Sequence, residues 1–276
     1  MKKAFLIKFL ILFISITANS QDFLVFKVRY KPQTKYYQIQ SYNLKASNTF
    51  SGTEDVLKRL KEREVQNPTV TTSFMKSESN ILTGKLNSKN VFPIACEYIN
   101  GQSLKGKVII PKGTIVYGKG TLDNMPVLDS VASEQLDADF KKSFLKSLND
   151  LISQINFPVK KIKIGESFTQ EIPFSFPVAN NNLEMIIKTE YKLIAIKNNL
   201  GYFEIKSDYT MKTEISEKGF KGKGTGEGTL VYDIQNNFFQ KFYVKSEVEM
   251  DFSMNDLKLN IKSETESSHE IKISKN

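Results

Sequence analysis

The stretch Phe242-Tyr243-Val244-Lys245-Ser246-Glu247-Val248-Glu249-Met250-Asp251-Phe252-Ser253-Met254 decides the fold class. Phe242, Val244, Val248, Met250, Phe252 and Met254 share one parity, while Lys245, Glu247, Glu249 and Asp251 share the other. A period of two sends successive side chains to opposite faces of a pleated strand. The stretch therefore predicts a strand with one dry face and one charged face. The pattern repeats on both sides of it. Met185, Ile187, Thr189, Tyr191 and Leu193 alternate with Glu184, Lys188, Glu190 and Lys192. Phe203, Ile205, Ser207, Tyr209 and Met211 alternate with Glu204, Lys206 and Asp208, and Leu257, Leu259 and Ile261 alternate with Lys258 and Lys262. Asn198 to Gly201 and Asn236-Asn237 supply the turns between runs. The C-terminal part thus predicts an antiparallel meander of long strands, and a long twisted sheet curls.

A dry sheet face must be covered. Over 133–156, Leu136, Phe140, Phe144, Leu148, Leu151, Ile152 and Ile155 recur at spacings of three and four, the stripe of an amphipathic helix. Glu134, Asp137 and Asp139 precede Lys141, Lys142 and Lys146, an order that suits the helix dipole. Phe157-Pro158 ends the segment. The expected fold is α+β and β-dominated: a long curved antiparallel sheet packed on one long amphipathic helix. Further upstream, Phe23 to Tyr30 and Thr34 to Leu44 read as a hairpin, and 45–52 as a loop. Ser51 and Glu54 form a capping-box pattern that opens a short exposed helix running to Gln66. Short strands are expected between Val70 and Ile110. Phe157 to Val178, with three prolines, reads as an edge or linking region.

The start of the chain differs from the rest. Met1-Lys2-Lys3 precedes an apolar run from Ala4 to Ile16, and Ala18 and Ser20 flank a single residue before Gln21. This is the layout of a signal peptide over 1–20, and the run is short for a bilayer span. The expectation is an exported chain, periplasmic or extracellular. Because no cysteine follows the apolar run, no lipid anchor is expected. Residues 21–276 then form one β-rich domain, or two halves, 21–132 and 157–276, joined by the helix at 133–156.

Composition narrows the function classes. Of the net charge of +9, Lys2, Lys3 and Lys8 carry three, which leaves +6 spread among alternating Lys and Glu. Such dispersal reads against a nucleic-acid surface, which clusters charge and interleaves aromatics. One cysteine rules out an intramolecular disulfide. Cys96 lies in an apolar stretch and reads as a buried inert thiol. With one histidine and one cysteine, no His/Cys metal site of ordinary ligand count can be built, and no cofactor is expected. His269, among Ser267, Ser268 and Glu270, reads as an exposed strand residue. Asp123, Asp129, Asp137 and Asp139 read as turn and cap residues, and no catalytic residue is assigned. Gly222, Gly224, Gly226 and Gly228 lead into a strand, so they lack the strand-before, helix-after setting of a phosphate loop. On one strand face they suit a bulge, a bend or a close approach, or leave one wall of a cavity bare. Phe238-Phe239 follows a turn and reads as a hairpin closure or a partner contact.

These pieces carry a resemblance. Tyr30-Lys31-Pro32 and a tyrosine-rich strand follow the export signal, and a Gly-x-Gly-x-Gly run leads into Leu230-Val231-Tyr232-Asp233. The chain resembles uncharacterised secreted or lipid-anchored β-rich proteins of Bacteroidetes-type bacteria. It departs from the lipid-anchored members by lacking the anchoring cysteine. In overall shape these proteins are similar to lipoprotein-carrier folds, in which a curved sheet holds a helix and a hydrophobic cavity. That likeness is one of shape and carries over no functional residue.

The expected function is therefore an exported envelope protein that binds an apolar ligand, such as a lipid or acyl chain, between sheet and helix. Phe144, Leu148, Tyr191, Tyr209, Phe242 and Met250 are the candidate lining residues. One alternative is a non-enzymatic structural or interaction module of the envelope, extended by edge pairing of its strands. The other is a carboxylate-dependent hydrolase.

Overall fold

A computed structural model describes residues 22–100, 102–104, 107–154, 157–178, 181–212, 219–254 and 256–276. The expected signal peptide lies outside them. The strands, in chain order, are β1 (Phe23–Phe26), β2 (Thr34–Gly52), β3 (Thr69–Thr83), β4 (Val91–Asn100), β5 (Gln102–Leu104), β6 (Lys107–Ile110), β7 (Ile115–Thr121), β8 (Val127–Ala132), β9 (Lys160–Lys163), β10 (Ser167–Val178), β11 (Asn181–Lys197), β12 (Leu200–Met211), β13 (Phe220–Asp233), β14 (Phe238–Met254) and β15 (Leu257–Lys275). Two helices interrupt them, α1 (Glu54–Glu62) and α2 (Ala138–Gln154).

Eleven strands form one antiparallel sheet in the order β10-β11-β12-β13-β14-β15-β2-β3-β4-β7-β8. The meander expected from the C-terminal pattern is present as β10 to β15. The β15–β2 pairing, from Leu257↔Gly52 to Lys275↔Thr34, joins strands of the N-terminal and C-terminal parts in a single sheet. Asn198 and Asn199, at φ 52° and 61°, form a two-residue turn between β11 and β12. Positive φ at both central positions is what a tight hairpin requires, and asparagine tolerates it.

Several expectations change. Residues 45–52 belong to β2 and are not a loop, because β15 pairs with β2 from Thr34 to Gly52 and β3 pairs with it as far as Asn48. β1 does not pair with β2. It pairs with β9, Phe23↔Lys163 through Phe26↔Lys160, as a separate two-stranded ribbon. This ribbon, and not the helix, covers the dry face. Leu24, Phe26, Val28 and Ile162 are buried in one cluster with Phe168, Tyr191, Phe203, Leu230 and Tyr232 of the large sheet. Phe26 is the hub, with ring centroids 4.8 Å from Phe168 and Tyr232, 5.4 Å from Phe203 and 5.6 Å from Phe157. Each fully buried ring of this kind contributes roughly 1.5–3 kcal/mol over its exposed state.

The long helix is the main correction. α2 spans 138–154 within the expected 133–156, with the last two residues of that range outside the described set, and none of its residues is buried. It packs on β8, where the Asn149 amide accepts from and donates to the backbone of Leu128 (3.0 and 2.9 Å). Phe144 approaches Tyr98, 6.2 Å between centroids. With the ribbon seated at the base of the sheet, α2 keeps only a side contact. The expected capping box is absent: the N-cap position of α1 is Thr53 and not Ser51, the Thr53 side chain makes no capping hydrogen bond, and the helix buries none of its residues.

The glycine run sits on the inner face of β13. A Cβ on Gly228 would lie 1.9 Å from the Tyr243 carbonyl oxygen, and one on Gly224 would lie 2.4 Å from that of Glu247. Close approach of β14 is therefore the reason for glycine at these two positions.

Candidate functional site

The inner face changes character along the strands. At the base lies the aromatic cluster under the ribbon. At the opposite end, Phe220 and Phe252 pack together with Met211, Met250, Leu259 and Ile261. Between them the register aligns Gln170, Thr189, Ser207, Gly226, Ser246 and Thr265 in one row across β10 to β15. Gln170, Thr189, Ser207 and Ser246 in this row are buried. Thr189 and Ser207 share a hydrogen bond of 3.0 Å, and Ser246 and Thr265 one of 2.6 Å. Buried hydroxyls of this kind must find partners, and the cross-strand neighbour supplies them.

A cavity of about 360 Å³ opens where this row meets the base. Its walls come from strands far apart in the sheet order. Gln170, Ile172 and Tyr191 belong to β10 and β11, while Gln40, Tyr42, Met75 and Ser77 belong to β2 and β3. The curl of the sheet brings these strands face to face. Phe157, Leu230, Phe239 and Phe242 complete the apolar lining, and His269 and Ser267 add polar atoms. The volume falls within the usual span of small-molecule pockets, roughly 300–1,000 Å³.

Two polar side chains stand out. Gln170 is 7 % exposed, and its Nε2 has no hydrogen-bond partner among the described residues. Its Oε1 lies 3.5 Å from the Tyr191 hydroxyl. A buried donor left unpaired costs about 1–3 kcal/mol. His269 is half-buried, with its ring edge-on to Phe239 at 5.4 Å. Its Nε2 lies 3.2 Å from Gln38 Oε1 and 3.4 Å from Gln40 Nε2. A protonated Nε2 donates to the Gln38 oxygen, and an unprotonated Nε2 accepts from the Gln40 amide, so the two contacts belong to different tautomers of the ring. Burial pushes the His269 pKa down to about 4, so the ring is neutral near pH 7. His269 is thus a cavity residue and not the exposed strand residue its polar neighbours suggested. Phe239, expected to close a hairpin or touch a partner, lines the same cavity, and Phe238 beside it is buried.

Of the six lining candidates, the structure brings Tyr191 and Phe242 together in the cavity. Phe144 and Leu148 lie on α2, half-buried. Met250 belongs to the far cluster. Tyr209 borders a separate groove of about 1000 Å³, lined largely by charged side chains including Glu171, Lys188, Asp208 and Lys262. Lys188 and Lys262 there pair with Glu171 and Glu249 at 3.9 and 3.4 Å, contacts that are weak at an exposed surface. The sequence reading missed Gln170, Phe157 and His269 as cavity residues. The available signal was polar residues on the dry parity of neighbouring strands, as at Thr189 and Ser207.

The remaining candidate groups have local duties. Asp137 Oδ1 accepts from the Phe140 N–H at 2.7 Å, at the start of α2. Asp123 and Asp129 face Lys27 and Lys119 at 3.6 and 3.8 Å. Burial pushes the Cys96 thiol up to about 11, which suits an unreactive thiol. Among the described residues no group of three or more His, Cys, Asp or Glu could hold a metal ion, and no helix is long and apolar enough to cross a membrane. Both edges of the sheet are obstructed. β10 carries Pro173 and Pro177, which lack an N–H to offer a neighbour, and Asn149 occupies backbone groups of β8.

The model of a family of unknown function, DUF6263, matches residues 103–239. The matched segment contains Phe157, Gln170, Tyr191 and Leu230 from the cavity and ends at Phe239. The wall built by β2, β3 and β15 lies outside it. No curated protein matches the chain.

Proposed function

We propose that the protein is an exported, non-enzymatic binding protein of the cell envelope that takes an apolar ligand, such as a lipid or acyl chain, into the inner-face cavity. The observation that carries this reading is the cavity itself. It is walled by Phe157, Tyr191, Leu230, Phe239 and Phe242, and it lies between strands that meet only because the sheet curls. Concave, mostly apolar sites with a few placed polar groups are the usual form of ligand pockets. The obstructed edges give edge-pairing partners little purchase, so binding within the sheet is favoured over extension of it.

Native mass spectrometry of protein purified after export tests the proposal. A mass excess of one ligand per chain, lost on denaturation, is the expected result, and the released molecule identifies the class. Retention of the protein in the cytoplasm, or a bare chain that takes up no apolar probe at saturating concentration, overturns it.

A further inference from the structure

We infer that the cavity selects an uncharged ligand that presents a hydrogen-bond acceptor oxygen to Gln170 and lays its apolar body along Phe157, Phe239 and Phe242. The inference rests on the binding proposal and specifies its ligand.

Two independent observations support it. First, the buried Nε2 of Gln170, a cavity-lining residue, lacks an acceptor. A ligand carbonyl or ether oxygen would supply the missing partner, whereas a purely hydrocarbon ligand would leave it unmade. Second, no Lys, Arg, Asp or Glu is among the described residues that line the cavity. A carboxylate or phosphate brought inside would lose its hydration and find no countercharge. His269, the basic side chain of the lining, is held neutral by its burial, and its Nε2 is engaged by the Gln38 and Gln40 amides. The outer groove around Lys188 and Lys262 is charged and could not make this distinction. The cavity is therefore suited to an ester, an amide or an ether of a short acyl or alkyl chain, and rejects the corresponding free acid.

Titration of the purified full chain at pH 7 with methyl decanoate, decane and decanoate, followed by calorimetry, tests this. Methyl decanoate is expected to bind best, with decane and decanoate each weaker by roughly tenfold or more, the equivalent of one hydrogen bond to a buried donor. The variant Gln170→Met keeps the volume and removes the amide. It should bind methyl decanoate and decane equally. Equal binding of decane and the ester to the unmodified protein overturns the inference, as does decanoate binding most tightly, and both leave the apolar-pocket proposal standing. Failure of all three probes to bind removes that proposal as well. Because the three-probe comparison uses the unmodified chain, it is decisive even if the variant does not fold. A Gln170→Met protein that folds and retains the ester preference would show that a bound water, and not a ligand, satisfies the amide.

Discussion

The two ends of the large sheet are built from the same alternating strands, yet they are buried differently. At the base, a ribbon made of β1 and β9 presses Leu24, Phe26 and Ile162 into the sheet, and the largest side chains lose all contact with water. At the far end, among the described residues, Phe220, Phe252 and Met185 are buried, with Met211, Met250, Leu259 and Ile261 partly exposed around the two rings. Alternation prepares a dry face along the full strand length. Which part of that face becomes core depends on what is laid over it. Between the two ends, a row of small polar residues and a cavity mark where the cover stops.

The largest test of this contrast is truncation at each end. Phe26→Ala removes the ring that touches four others, and should cost about 3–5 kcal/mol in urea denaturation. Phe252→Ala removes one ring from a cluster that can relax into solvent, and should cost about 2 kcal/mol. Equal losses would mean that the far end is as firmly packed as the base. The second test uses the glycines. Gly228→Ala drives a methyl group into the Tyr243 carbonyl and should destabilise by about 1–3 kcal/mol. Gly226→Ala meets its nearest atom, the Ser246 Cβ, at 3.2 Å, and should stay within about 0.5 kcal/mol. If both behave alike, close approach of β14 is not what requires glycine at position 228.

A third test uses pH at the boundary between base and row. The pKa of His269 is lowered from 6.5 to about 4 in the folded chain. The stability that its neutral form contributes is whole above pH 6.5. It is lost as pH falls towards 4, because the unfolded chain takes up the proton first. Wild type should therefore lose about 1–2 kcal/mol relative to His269→Gln between pH 7 and pH 4, an amount discounted for the half-exposed ring. Parallel pH profiles would show that the ring is freely solvated. The smallest effect is expected at the pin that holds the ribbon. The Tyr232 hydroxyl accepts from the Lys27 N–H (3.1 Å) and donates to the Lys27 carbonyl (2.8 Å). Tyr232→Phe should cost about 1 kcal/mol, seen as hydrogen exchange at Lys27 faster by about fivefold. Unchanged exchange would mean that the aromatic packing of Phe26 alone retains the ribbon.

Much of the large sheet could be read from the chain. The strands from Met185 to Ile261, their dry and charged parities, and the Asn198 and Asn236-Asn237 turns were all legible. The role of α2 was not. Phe140, Phe144 and Leu148 make a stripe that demands a partner, but the pattern does not name the partner, and β1 with β9 occupies the place. At the site, Tyr191 and Phe242 were legible as dry-parity aromatics. Gln170 was not: it shares the parity of Phe168 and Ile172, but whether a polar residue there on an edge strand is covered depends on the opposite wall. His269 was misread for the same reason: its serine and glutamate neighbours describe its own strand and not the Phe239 ring across from it.

The sequence by itself determined the extended backbone, the face on which each side chain stands and the sites where the chain reverses. These are local properties, set by side-chain alternation and by the φ values that asparagine tolerates within a few residues. The tertiary structure alone decided that β1 finds β9, that α2 remains at the side, and that Gln170 and His269 come to share one cavity with Phe239. Those outcomes depend on contacts between residues far apart in the chain, whose free energy is gained only once the sheet has curled and its opposite strands face each other.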